Sequence, residues 1–451
     1  MRRRTVSTSR KGIRPIRVLP AGFLAVILLG AALLCLPGAT VGPGRMRFFD
    51  ALFTAVSATC VTGLVVVDTG TYFTGFGQAI VLAMIQLGGL GFMTVAAALF
   101  SLTRRRVSLR ERMVLAESFG EERLQGVLRL SRAAAAVTLM IEGIGAALLA
   151  VRFVPQFGWG QGIWYAVFHS VSAFCNAGFD LMGSYRSLTG YTGDWLVNLV
   201  IIALIALGGV GFSVLLRLGK RRLNLHARLV LMATPVLLLG GGILITLLEY
   251  DNPATMGTLS AGEKWLAGLF QSATLRTAGF NTIDQFGQRE TTKLLGVLLM
   301  LVGGAPAGTA GGLKITTLMV LFLTVRQFLR GRSETTAFGR TLPQETVRRS
   351  LCIVTLGLAL LLGVTVAISL IEEGKPGGDL PFLDQLFEAT SAMCTVGLST
   401  GLTAVGTDAT RALLCLLMFA GRVGLLTLAL SLVDGRAQPL IRYPQEDVLV
   451  G

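Results

Sequence analysis

The sequence predicts an all-α membrane protein with eight transmembrane helices. They form four parallel repeats, each of span, pore helix, filter strip and span, around a pseudo-fourfold pore. Three observations carry this expectation. Of the 451 residues, 53% are apolar and only 14% are charged, where a soluble domain has about a quarter charged. Apolar segments of spanning length recur along the chain. Between them, a short motif running from phenylalanine to glycine appears four times.

The apolar segments lie at about 21–37, 76–102, 133–153, 194–217, 228–248, 293–328, 351–371 and 410–433. A helix rising ~1.5 Å per residue needs about 20 residues to cross ~30 Å of hydrocarbon. Within each pair of spans lies a shorter, mixed segment, at about 48–66, 161–181, 262–282 and 380–400. Its helical part is too short to cross, and non-helical backbone at membrane depth is tolerated only where protein or water surrounds it. These segments therefore read as re-entrant and cavity-lining. The repeats are expected at 21–102, 133–217, 228–329 and 346–433, with a basic N-terminus (1–20) before them and a tail (434–451) after them.

The net charge is +15, from 40 basic and 25 acidic residues. Such a charge would suit nucleic acid, but long apolar runs do not belong to that class, and no nucleic-acid partner is expected. The basic residues cluster in 1–20, 103–132, 217–228, 326–349 and 434–451, which together hold 28 of the 40 positives against nine acids. By the positive-inside rule these segments are cytoplasmic, so both termini are cytoplasmic. Met1-Arg2-Arg3-Arg4 before an apolar run also fits a secretory signal peptide. The first repeat needs that run as its first span, so cleavage is not expected. Six Cys are spread singly and the two His stand far apart. That spacing argues against a zinc site, a disulfide framework or a catalytic cluster, and no enzyme activity is expected.

The intervening segments align. Residues 53–63 read FTAVSATCVTG, 168–178 FHSVSAFCNAG and 387–397 FEATSAMCTVG, while 270–279, FQSATLRTAG, is one residue shorter. A second echo follows in GGLGF (88–92), GGVGF (208–212), GGAPAG (303–308) and AGRVG (420–424). Two spans per repeat return the chain to the same side, so all copies share one orientation. An inverted-repeat carrier needs an odd number. Duplication for helix packing alone is the plainer alternative, but packing does not call for four buried loops ending in glycine.

A dehydrated monovalent cation needs oxygen ligands in place of its waters, and rings of backbone carbonyls supply them. Glycine permits the unusual φ values that turn successive carbonyls one way. The candidate strips are Cys60-Val61-Thr62-Gly63, Cys175-Asn176-Ala177-Gly178, Arg276-Thr277-Ala278-Gly279 and Cys394-Thr395-Val396-Gly397. None holds a carboxylate, which disfavours divalent ions. Asp180, Asp284 and Glu388 are candidates for concentrating cations at the mouth, or else ordinary solvated acids or helix partners.

With these residues in view, the chain resembles the Ktr/Trk/HKT superfamily of potassium transporters and looks closest to the Ktr membrane subunit (KtrB-like). The resemblance runs over nearly the whole chain from about residue 20. It implies K+ as the transported ion, bound by filter carbonyls only, with Na+ as a candidate activator and no organic cofactor on this chain. It implies a homodimer in the lipid of a bacterial plasma membrane, on a cytoplasmic RCK-type regulatory ring (KtrA-like) that binds nucleotide. In plant relatives Ser at the first filter glycine accompanies sodium preference, so Gly63 implies potassium. Sodium or another monovalent cation on the same architecture is the alternative. The longest cytoplasmic segments are about 30 residues, too short for a Rossmann fold, so regulation is expected from a separate chain.

From Thr291 to Leu329 the last span of the third repeat is too long. Its middle, Gly303-Gly304-Ala305-Pro306-Ala307-Gly308-Thr309-Ala310-Gly311-Gly312, cannot stay helical. It lacks the GK[ST] ending and the preceding strand of a phosphate loop. A hinge that serves packing remains open. A flexible loop below the filter, able to block the path, fits better, and the resemblance implies an intramembrane gating loop here. Arg422, inside the last span, is costly unless paired or facing water. It resembles the family's buried arginine, which opposes cation passage. Glu142 is expected to bond helix ends or loop backbone, and Lys314 to snorkel or touch the loop.

Overall fold

The protein is described by a computed structural model over residues 15–42, 44–91, 127–218, 223–375 and 380–432. Four parts of the sequence reading lie outside the described residues: the N-terminus to residue 14, the end of the span drawn at 76–102, the arginine-rich loop up to 126, and the tail from 433.

The chain is mostly helical. A long helix, a shorter one, a glycine-ended strip and a further helix follow one another four times. The long helices are α1 (Pro15–Leu34), α4 (Val127–Phe157), α7 (Leu225–Glu249) and α11 (Gln344–Glu372). Among the described residues these are the four helices long and apolar enough to cross a membrane. They carry outward Leu28, Leu29, Leu139, Ile144, Val236, Leu247, Leu362 and Leu370, all exposed. Apolar faces of that extent do not persist in water, and hydrocarbon satisfies them.

The shorter helices are α2 (Phe48–Cys60), α5 (Trp159–Phe174), α8 (Ala261–Thr274) and α12 (Phe382–Met393). Acids sit in the first turn of three of them, Asp50, Glu263 and Asp384, where they complement the helix dipole. The leading phenylalanine of each motif, Phe53, Phe168, Phe270 and Phe387, is fully buried and fixes its helix in the core.

The following helices are α3 (Gly75–Leu90), α6 (Trp195–Val210), α9 (Glu290–Leu301) with α10 (Ile315–Phe328), and α13 (Asp408–Val423) with α14 (Leu425–Leu432). Within the apolar segments drawn at 76–102, 194–217 and 410–433 the helix is interrupted. Each helix stops at a glycine with positive φ: Gly91 (77°), Gly211 (89°) and Gly424 (95°). A residue in that conformation cannot continue a right-handed helix. In the third repeat the gap between α9 and α10 contains the whole 303–312 stretch.

Packing closes a circle. α3 lies on α5, α6 on α8, α9 on α12, and α13 on α2. Each repeat thus hands its second helix to the next repeat's short helix, and the fourth returns to the first. A buried ion pair, Lys293 with Asp384 at 2.7 Å, reinforces the α9–α12 contact.

Candidate ion filter and gate

Each short helix ends by reversing its backbone. Val61, Asn176, Thr277 and Thr395, the second residue of every strip, have φ between 51° and 70°. For β-branched side chains this left-handed conformation is strained by roughly 1–3 kcal/mol and persists only where the surroundings impose it. The turn is closed by hydrogen bonds reaching back five residues: Thr62 N to Ser57 O (2.8 Å), Ala177 N to Ser172 O (2.8 Å) and Val396 N to Ser391 O (2.7 Å). In the shorter third strip Ala278 N reaches Thr274 O at 2.9 Å instead. That bond spans one residue fewer, which accounts for the missing position in the motif. The serines also brace the strips through their side chains. Ser57 Oγ accepts from Gly63 N (3.1 Å) and Ser391 Oγ from Gly397 N (3.0 Å), while Ser172 Oγ donates to Phe179 O (2.8 Å).

The terminal glycines meet in a ring. A Cβ on Gly63 would stand 2.6 Å from Ala177 O, on Gly178 2.7 Å from Ala278 O, and on Gly279 2.5 Å from Val396 O. On Gly397 it would strike Thr62 O, which closes the circle. All four glycines have positive φ, from 69° to 99°. Beyond them opens a cavity of about 630 Å³, lined by the four glycines together with Asp180, Tyr185, Asp284 and Ser399.

None of the strips' first side chains lines the cavity beyond the glycines. The Arg276 side chain turns away, with Nη1 3.4 Å from Thr234 O, and lies against Ile205, Gly209 and Leu238. Cys60, Cys175 and Cys394 are buried. Cys175 Sγ lies 3.5 Å from Gln86 Oε1 and 3.7 Å from Glu142 Oε1. Glu142 also accepts from Gln86 Nε2 at 3.1 Å, so its carboxylate joins α3 to strip two and not helix ends or loop backbone, as the sequence had suggested. Glu388 does not face the cavity either. It is fully buried and accepts from Ser399, Thr400, Leu402 and Thr403, holding the loop after strip four. The sequence reading missed Asp68, whose carboxylate caps Thr71 N (2.8 Å) and takes Tyr185 N (2.7 Å) from the second repeat.

The opposite face of the ring meets the glycine-rich loop. Gly311 and Gly312 pack on Thr395 and Cys394 so closely that a Cβ would collide. Ala305 N donates to Gly209 O (2.8 Å), Thr309 N to Gly208 O (3.2 Å), and Phe212 N to Ala307 O (2.9 Å), which ties the loop to the end of α6. Gly303 N pairs with Leu313 O at 2.8 Å, and the Lys314 ammonium donates to Ala310 O at 2.7 Å. Arg422 reaches from α13 to donate to Thr309 O in the loop and to Gly88 O and Gly89 O at the end of α3. Helix ends carry unpaired carbonyls. Here the loop satisfies those of α6, and the guanidinium those of α3. The second echo in the sequence marks these ends. A Cβ on Gly88, Gly208 or Gly421 would collide with the last carbonyls of the short helices, at Thr59, Phe174 and Met393.

The family profile described as TrkH, cation transport protein, matches residues 39–437. The chain is 41% identical over 441 residues to the Ktr system potassium uptake protein B of Bacillus subtilis, covering 97% of each chain. It is 41% identical to the protein of that name from Vibrio alginolyticus, covering 98% of this chain and 96% of the other. To the potassium/sodium uptake protein NtpJ of Enterococcus hirae it is 37% identical, covering 98% of both. Among solved structures, the potassium transporter TrkH from Vibrio parahaemolyticus superposes with a TM-score of 0.75 at 16% identity, over 95% of this chain and 86% of that one, so the fold is shared. The chain is a multi-pass membrane protein, a transporter and not an enzyme, and belongs to the TrkH family of cation transport proteins.

Proposed function

We propose that this chain is the pore-forming subunit of a potassium-uptake system, with eight spans in four parallel repeats and a filter at Gly63, Gly178, Gly279 and Gly397. The observation that carries the reading is the closed ring of four strips, each with positive φ at its second and fourth residues. Alternating backbone of this kind turns carbonyls toward a common axis, where they replace the water around a monovalent cation. The strips offer no carboxylate, and the mouth beyond them carries Asp180 and Asp284. The relatives named for potassium uptake support the choice of ion.

The 303–312 loop lies across the inner face of the ring and, with Arg422, acts as the gate. A homodimer on a nucleotide-binding cytoplasmic ring supplies the control of that gate. The relative named for potassium and sodium favours sodium as the second reading. Purified protein in liposomes separates the two. Potassium flux that tenfold excess sodium barely inhibits is expected for the filter proposed here. Equal flux of both ions would reject potassium selectivity, and no cation flux would reject the pore.

A further inference from the structure

Thr309 is buried to 1% exposure, and its three polar groups bind three different elements. Its N–H donates to Gly208 O at the end of α6 (3.2 Å), and its carbonyl accepts from Arg422. Its hydroxyl donates to Phe174 O at 3.0 Å and lies 3.3 Å from the Asn176 side-chain amide. Phe174 is the last residue of α5, immediately before strip two. Asn176 belongs to that strip and meets the Thr277 hydroxyl of strip three at 3.3 Å. A single loop hydroxyl therefore touches strip two directly and reaches strip three through the Asn176 side chain.

Resting on the reading above, we propose that Thr309 is a positioning residue for ion selection, whose hydroxyl holds strips two and three in their discriminating geometry. Asn176 sits at φ 58°. Such a conformation relaxes unless its neighbours over-determine it. Removing the hydroxyl leaves Phe174 O buried without this donor and removes one support of Asn176. Discrimination between two alkali cations depends on where the ring oxygens stand and how far they yield. The effect therefore appears in selectivity and not only in rate. The motif reading gave no sign of this contact, because Thr309 lies 133 residues from Asn176.

The test compares Thr309→Val, which keeps the shape and removes the donor, with Thr309→Ser, which keeps the donor. Sodium and potassium fluxes per molecule are measured in liposomes. Thr309→Val should raise the sodium-to-potassium flux ratio about fivefold, the scale of one lost hydrogen bond, with Thr309→Ser near wild type. A wild-type ratio in Thr309→Val would overturn the proposal. Equal change in both variants would too, since it would assign the effect to packing. If Thr309→Val does not reach the membrane, Thr309→Ala, which also removes the donor, replaces it and is read against Thr309→Ser under the same criteria. Wild-type protein without preference for potassium sinks the filter reading itself, whereas normal wild-type preference with an unchanged variant sinks only the role of Thr309.

Discussion

At the scale of residues, the ring distinguishes positions that supply backbone from those that hold it. Gly63 supplies backbone. It combines a φ of 99° with a place where a Cβ would stand 2.6 Å from Ala177 O. Gly63→Ser is therefore expected to cost roughly 1–3 kcal/mol of local geometry and to lower the potassium-to-sodium flux ratio by about tenfold or more. Unchanged selectivity in Ser variants at all four glycines would remove the filter from these strips. Glu388 holds backbone. Its carboxylate takes donors from four residues of one loop and does not line the cavity. Glu388→Gln should lower stability by about 2 kcal/mol, the scale of hydrogen bonds to a charged group, and leave the half-saturating potassium concentration within about twofold. Thermal unfolding read beside a potassium titration checks both. A large loss of ion affinity at normal stability would return Glu388 to the mouth.

At the scale of elements, much was legible and the remainder has physical reasons. The four motifs placed the short helices and strips because Phe, Ser and Gly each have a packing or backbone task there. The 303–312 stretch was visible because five glycines and a proline in ten residues cannot sustain a helix. The breaks at Gly91, Gly211 and Gly424 were hidden. Each glycine in an apolar run costs only about 1 kcal/mol of helix propensity, and the positive φ that makes these three the termini is not encoded by residue type. The strained second residues were hidden too, since Val61 and Thr395 are ordinary strand or helix residues by type. The contact of Glu142 with Gln86 and Cys175 depends on packing between repeats, which spacing does not encode. The loop and Arg422 yield a prediction at this scale. The guanidinium binds the loop and, beside the proposed path, would oppose a cation by about 2–3 kcal/mol at 6–8 Å and an effective dielectric near 20. Arg422→Ala, or deletion of several loop residues, should raise potassium flux by more than about tenfold. Flux per molecule in liposomes is the measurement. Normal membrane yield with unchanged or reduced flux in both variants would defeat the gate.

At the scale of the whole molecule, the circle of helices has one irregular member. The third repeat breaks its second helix to form the loop, the second receives it at Gly208, Gly209 and Phe174, and the other two contribute Gly88, Gly89 and Arg422. The loop meets one end of the strips and the aspartate-lined cavity the other, so the ring has two unlike faces. Thr71 and Tyr185 share Asp68 at the cavity end, Thr189 lies beside the Leu188–Asn281 bond, and Asn252 binds Gly287 O at 2.9 Å, all among the loops that follow the strips or the long helices. Arg332 follows α10, past the glycine-rich loop, at the other end. The basic segments of the sequence hold 28 of the 40 positive charges. Basic loops are retained on the cytoplasmic side. Reporter fusions after Arg105, Arg222, Arg332 and Gly451 should therefore all read cytoplasm, and those at Thr71, Thr189, Asn252 and Lys375 all read outside. Under the proposed function, that orientation would let the cavity collect external cations and the loop close the cytoplasmic side, as uptake requires. One reversed pair would mean that the repeats are not parallel, and four strips from repeats of mixed orientation would not present their carbonyls to one axis.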